Sequence, residues 1–352
     1  MSGWQVGEKR GRTVAAEKSA KAKAWTLFDR IVDRAAPEGV HTNPWVKDAS
    51  GKRHFQPDYD TLSLLLGVPL FLKANTQSGV PALALDVWLS YELRRAGFGK
   101  DQTWPRPTHP RILPSSVANL LEELTAKEAG PVRAKVERKS AIKGVTASSA
   151  SILGKNYTKQ VDVIITDWST GPELLISTKR MDSSFGKNAP NRIEESYGDA
   201  KNLRLRHPLA ALGFMFGLNA VILREEPGTA EWLFDLLIKL GQEDDAYHAT
   251  GLVLMEYGDD AVLPDDGEEP AVEALAEPGV EAEEDSAPVV DAVGDIDLTI
   301  ANLPKVRLRL DATPDELMPS RFLAAMVERV LGITPVTMHR GARRHRAEAR
   351  QL

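Results

Sequence analysis

Residues 160 to 206 constrain this chain more than any other stretch. They read QVDVIITDWSTGPELLISTKRMDSSFGKNAPNRIEESYGDAKNLRLR. Two β-type runs, VDVIIT and ELLIST, flank a turn-rich spacer. Their β-branched and aliphatic residues suit a pleated, half-buried surface. A polar loop with glycine and proline follows, then a segment with helical spacing. The fold must seat a hairpin and then a helix, in that order. The charged residues stand at the joints: Asp162 opens the first run, Lys179 closes the second, and Glu194 and Glu195 open the helix.

Spacing gives these residues an expected geometry. Strand side chains alternate between faces, so Ser177 and Lys179 share one. With the turn centred on Thr170 and Gly171, antiparallel pairing sets Asp162 opposite Lys179 and Ile164 opposite Ser177. Directly opposed residues point to the same face, which makes Asp162 and Lys179 neighbours. Asn188 or Asn191 caps the helix, with Pro190 near its first turn. Ile193, Tyr197 and Ala200 follow helical spacing and suggest the inward side. At about 100° per residue, Glu194 borders that side and Glu195 turns outward. Glu194 is therefore the preferred inward carboxylate.

Such a set has a chemistry. Two carboxylates can hold a hard divalent cation such as Mg²⁺, with Mn²⁺ as a substitute. The cation polarises a phosphodiester and lowers the pKa of a bound water. A neighbouring lysine orients that water, or takes its proton, and offsets charge developing on the phosphate.

At these residues the chain resembles the PD-(D/E)xK, or restriction-endonuclease-like, nuclease superfamily. Asp162 matches the strand aspartate of that pattern and Lys179 its terminal lysine. The triplet Ser177-Thr178-Lys179 lacks the middle acid, and Val161 stands where the pattern has proline. A subgroup with S-x-K on the strand takes its carboxylate from the following helix, the place of Glu194 or Glu195. The resemblance implies an α/β core with a central mixed sheet flanked by helices. It implies metal binding by Asp162, Glu194 and the Thr178 carbonyl, with Lys179 acting on water. Superfamily members often add an acid from a helix before the first core strand, for which Glu92 and Glu123 are both candidates. Dimers are common among such enzymes, so a homodimer is the form suggested by analogy.

Composition bounds the alternatives. The 352 residues suffice for one large or two ordinary domains, and 42% are hydrophobic. Cysteine is absent, which excludes disulfides, thiolate metal sites and a cysteine nucleophile. P-loop, dinucleotide, H-E-x-x-H and G-x-S-x-G motifs are also missing. Without a leader-like or membrane-spanning apolar run, a cytoplasmic protein with no membrane partner is expected. The net charge of −6 conceals an asymmetry. Residues 258 to 297 carry 15 acidic and no basic residues, while the remainder holds 44 basic against 35 acidic. A mildly basic body suits a phosphate backbone.

The chain divides into a basic N-terminal arm with a small helical unit, 1–77, and a nuclease-like core, 78–258. An acidic, disordered linker or insertion, 259–297, follows. A strand-helix segment packing on the core, 298–338, precedes a mobile arginine-rich tail, 339–352. Residues 78 to 98 read as an amphipathic helix stopped by glycine, and 115 to 128 as a shorter one. GVTASSASILGKN reads as a mobile loop close to the substrate. HPLAALGFMF is ambiguous between strand and helix, and the resemblance implies that it is the next core strand; TAEWLFDLLIKLG reads as a helix and ATGLVLMEY as a strand. Arg192, Lys201, Lys143 and Lys155 are the candidate nucleic-acid contacts. The expected activity is Mg²⁺-dependent cleavage of DNA, in restriction or phage defence alongside other subunits. The alternatives are a DNA-binding protein with a degenerate nuclease fold, and an interaction subunit working through its acidic segment.

Overall fold

The computed structural model describes residues 4–138, 142–147, 149–258, 263, 279–280 and 295–351. The first unit comprises α1 (Trp4–Ala35), β1 (Trp45–Lys47), β2 (Arg53–Phe55) and α2 (Tyr59–Leu72). α3 (Val80–Arg95), β3 (Thr103–Trp104), α4 (Ser115–Glu123) and α5 (Ala126–Val136) lead into the central part. There lie β4 (Ala150–Leu153), β5 (Thr158–Val161), β6 (Val163–Asp167), β7 (Gly171–Met181) and α6 (Phe185–Arg206). β8 (Ala211–Asn219), α7 (Ile222–Glu225), α8 (Pro227–Leu240), β9 (Ala249–Glu256) and β10 (Gly279–Val280) follow. The chain ends with α9 (Ile296–Ala301), β11 (Arg307–Leu308), α10 (Pro319–Ile333), α11 (Arg340–Ala347) and β12 (Arg350–Gln351).

The central sheet is mixed, with strand order β11-β9-β8-β7-β6-β3. β7, β8 and β9 run parallel, and α6 and α8 make the crossovers that parallel neighbours require. β6 runs antiparallel to β7 in the expected hairpin. One face of the sheet packs on α3 and α10, with α1 and α2 covering α3, and the other packs on α6 and α8, so the molecule is a layered α/β protein. β8 is buried along its whole length and lacks a polar/apolar alternation, as a central strand covered on both faces does.

Several elements depart from the sequence reading. The helix of residues 78 to 98 is not amphipathic: α3 is buried almost all round, between the sheet and α1, α2 and α10. Residues 115 to 136 form two helices, the second opened by a Thr125–Glu128 capping box. The expected mobile loop contains β4, which pairs with β5 in a second small sheet. The arginine-rich tail is docked. β12 pairs with β1, Ala342 is fully buried, and His339 Nε2 lies 2.6 Å from Glu173 Oε2. One apolar cluster runs through the first unit, α3, the sheet, α10 and α11. Most of the acidic segment, read as disordered, lies outside the described residues. Its β10 pairs antiparallel with β4. Among the described residues, no helix is long and apolar enough to cross a membrane.

Candidate active site

The ladder between β6 and β7 places Val163 opposite Ile176 and Ile164 opposite Leu175. Asp162 is thus in register with Ser177 rather than Lys179, a slip of two residues from the expected pairing. The turn is centred near Ser169, with Asp167 paired to Gly171, and a bulge at Ile165/Thr166 shifts the ladder once more, which is why counting outward from Thr170 and Gly171 fails. An even slip keeps every side chain on its expected face. Leu175 packs with α6, and Ser177 and Lys179 follow it on that side. Ile176 packs with α3, and Thr178 follows it there.

Thr178 joins the two sides of the sheet. Its N–H donates to Asp162 Oδ2 at 2.8 Å, and its hydroxyl donates to Asp86 Oδ1 at 2.6 Å. Asp86 comes from the middle of α3, in the run PALALDVWL. Two carboxylates from distant parts of the chain therefore meet at one strand residue. The N–H and C=O of a strand residue point to the same side, so the Thr178 carbonyl also faces Asp162. Burial and the neighbouring Asp162 charge push the Asp86 carboxyl well above its ordinary range, opposed by the Thr178 hydroxyl and the Lys21 charge. A like-charged pair of this kind is relieved by a shared cation. Both aspartates line a cavity of about 270 Å³ together with Lys21, Lys159, Ser177 and Lys179.

The α6 side supplies the rest. Glu195 lies 3.2 Å from Lys179 Nζ, 3.6 Å from Lys159 Nζ and 3.8 Å from Arg192. Burial raises the Glu195 pKa, but the two lysine charges outweigh it and hold the carboxyl below its ordinary value. Lys159 also lies 2.9 Å from Asp199, which accepts a hydrogen bond from the Tyr157 hydroxyl at 3.0 Å. Burial and that carboxylate push the Tyr157 phenol up to about 12. Tyr247 donates to the Ser196 carbonyl at 3.0 Å and stacks on Phe214, forming an aromatic wall beside Ser177.

The expected site residues separate into two groups. Asp162, Ser177, Thr178 and Lys179 line the cavity, Glu195 stands beside Lys179, and Arg192 flanks Glu195. Glu194 is exposed and does not join them. The helix begins at Phe185, ahead of both Asn188 and Asn191, and carries Pro190 inside it; Ile193 and Ala200 pack inward as the spacing predicts, but Ser196 rather than Tyr197 completes that stripe. Ala189, Ser196, Ala200 and Leu203 face inward, and Tyr197 does not. Glu92 is fully buried elsewhere, bound to Arg95 at 2.7 Å and accepting from the Asp58 N–H at 2.7 Å. Glu123 is exposed at the end of α4. Lys201 pairs with Asp245 at 2.8 Å, and Lys143 and Lys155 are exposed away from the cavity lining. Asp86, Lys159 and Asp199 are the residues that the sequence reading missed. The signal for Asp86 was a lone carboxylate inside an apolar helical run, costly to bury without a use.

Among the described residues, no group of three or more potential metal-binding side chains converges; the site offers a pair of aspartates. No family model, no curated protein and no solved structure matches the chain.

Proposed function

We propose that this chain is a Mg²⁺-dependent endonuclease acting on DNA, of the PD-(D/E)xK type, with its layered sheet serving as a restriction-endonuclease-like core. The observation that carries this reading is the meeting of Asp86 and Asp162 across Thr178, one residue before Lys179. Asp86, Asp162 and the Thr178 carbonyl fit a hard cation that accepts few protein ligands and keeps several waters. When bound, the cation supplies Lewis-acid polarisation of the phosphodiester and a more acidic water.

The chain's own residues do the remainder. Lys179 donates to the attacking water and sets its line toward phosphorus. Its ammonium also offsets the charge that builds on the non-bridging oxygens. Glu195, kept ionised by two lysines, orients Lys179 and is an acceptor for the proton that the water loses. Lys159, itself fixed by Asp199, holds Glu195 in turn. Attack forms the new P–O bond as the bond to the leaving sugar oxygen breaks, and a proton returns to that oxygen from solvent. A restriction or phage-defence setting, with DNA and further subunits as partners, follows from the superfamily resemblance.

One observation favours a second reading. Ser177 occupies the place of the middle acid, and Lys179 is already ion-paired. That arrangement suits a protein that binds DNA without cutting it. Incubating the purified protein with supercoiled plasmid separates the two. The nuclease reading expects nicking or linearisation with Mg²⁺ or Mn²⁺ and none with EDTA. Lys179→Ala should slow cleavage by about 10²- to 10⁴-fold, the usual contribution of a positioned acid-base group. Intact plasmid in the wild-type reaction with both metals would support the binding-only reading.

A further inference from the structure

Most cations on the cavity wall are committed to carboxylates. Lys159 lies 2.9 Å from Asp199, Lys179 3.2 Å from Glu195, and Arg180 2.8 Å from Asp182. Lys21 differs. It lines the same cavity, yet among the described residues no carboxylate lies within ion-pair distance of it. It is half-buried, and the turns of α1 that follow it are fixed, with Ala24, Trp25, Leu27 and Phe28 all buried. Its place over the cavity is therefore set by packing. Its charge still reaches Asp86 and favours the ionised carboxylate. On the same lining, the Thr76 hydroxyl is buried and without a hydrogen-bond partner among the described residues. A half-desolvated ammonium and an unused hydroxyl carry a cost that a bound anion offsets.

We propose that Lys21 and Thr76 form a subsite for a backbone phosphate of the nucleic-acid strand, next to the phosphodiester held at Asp86 and Asp162. This rests on the nuclease reading of the cavity and adds α1 to the substrate-binding surface. Ammonium and hydroxyl donors suit phosphate oxygens and carry no base information, so the contact positions the strand without selecting sequence. The subsite also explains why a helix from the first unit reaches the cavity at all.

The test uses the full chain and a labelled DNA duplex, with binding followed by anisotropy in EDTA over a range of salt. Cleavage of the same duplex in Mg²⁺ is run in parallel. Lys21→Met keeps the aliphatic stem and removes the charge. It should weaken binding roughly tenfold at low salt, as loss of a charged hydrogen bond does. It should also lower the slope of log affinity against log salt by about 1. Lys21→Arg should restore both. Thr76→Val should weaken binding without changing the slope, because a hydroxyl displaces no counterion. Thermal melting of each variant serves as the folding control, since a purely structural role would move the melting point and leave the slope alone. Wild-type binding matched in affinity and slope by Lys21→Met would overturn the subsite while leaving the nuclease reading in place. A wild type that neither binds nor cuts the duplex would overturn both.

Discussion

At Thr178 a single residue fixes two carboxylates, one by its N–H and one by its hydroxyl. Thr178→Val keeps the shape and the N–H but removes the Asp86 contact, so metal affinity should fall by about 10- to 100-fold, the usual cost of losing an orienting partner. Calorimetric titration with Mn²⁺ measures this, and unchanged affinity would count against Asp86 as a ligand. The two helix glutamates make a sharper contrast. Glu195 touches Lys179 and Lys159, whereas Glu194 faces solvent. Glu195→Ala should lower kcat by about 10- to 100-fold, and Glu194→Ala should leave it within about twofold, as surface changes do. The reverse ranking would mean that α6 is turned differently when DNA is bound. A third residue bears on stability. Burial and the adjacent Arg204 hold His248 down to about 4, from an ordinary 6.5. The folded state thus favours the neutral ring. Its contribution is fully present above pH 6.5 and is lost as the pH falls through 4. His248→Gln should make the urea midpoint fall less steeply than in the wild type across that window. Parallel curves for the two proteins would contradict the assignment.

Among the elements, β5 and α6 are tied by Lys159 and Asp199, both largely buried. Lys159→Met leaves a carboxylate buried without its cation and should cost about 3–5 kcal/mol of stability. Chemical denaturation checks this, and a loss below about 1 kcal/mol, the range of exposed pairs, would show the pair to be solvent-screened. The sheet and α10 meet as closely. A Cβ on Gly213 would stand 2.8 Å from Phe322 and 2.9 Å from Met326. Gly213→Ala should therefore destabilise by about 1–3 kcal/mol through overpacking. The hairpin, the crossover helices and β9 were legible in the sequence because each shows a strand or helix pattern over enough residues, whereas β8, apolar nearly throughout, is ambiguous by pattern. The register was not, since the turn centres near Ser169 rather than between Thr170 and Gly171, and the bulge at Ile165/Thr166 shifts the ladder once more. The start of α6 was obscured by Pro190, which reads as a first-turn signal but sits inside the helix. Asp86 could be seen as anomalous in its run, but only tertiary packing brings α3 across the sheet to Thr178.

For the whole molecule, the ends of the chain belong to the same body as the middle. His339 reaches Glu173 near the base of the β7 strand, Asn43 donates to the His345 carbonyl at 2.7 Å, and β12 extends the β1–β2 hairpin. Truncation before His339 would leave the buried Glu173 carboxylate with only the Thr170 hydroxyl on its other oxygen, costing roughly 1–3 kcal/mol from that loss alone, and would strip the edge of β1. The shortened chain should melt earlier than the full one; an unchanged melting curve would return the segment to the status of a mobile tail. In the proposed enzyme, a single cation joins the two sides of the sheet at Asp86 and Asp162. A crystal soaked in Mn²⁺ and measured at the manganese edge tests it most directly. The account predicts an anomalous peak between the Asp86 and Asp162 carboxylates, in contact with the Thr178 carbonyl. A peak at Glu194 or Glu92, or none in a protein that cuts DNA with Mn²⁺, would contradict it.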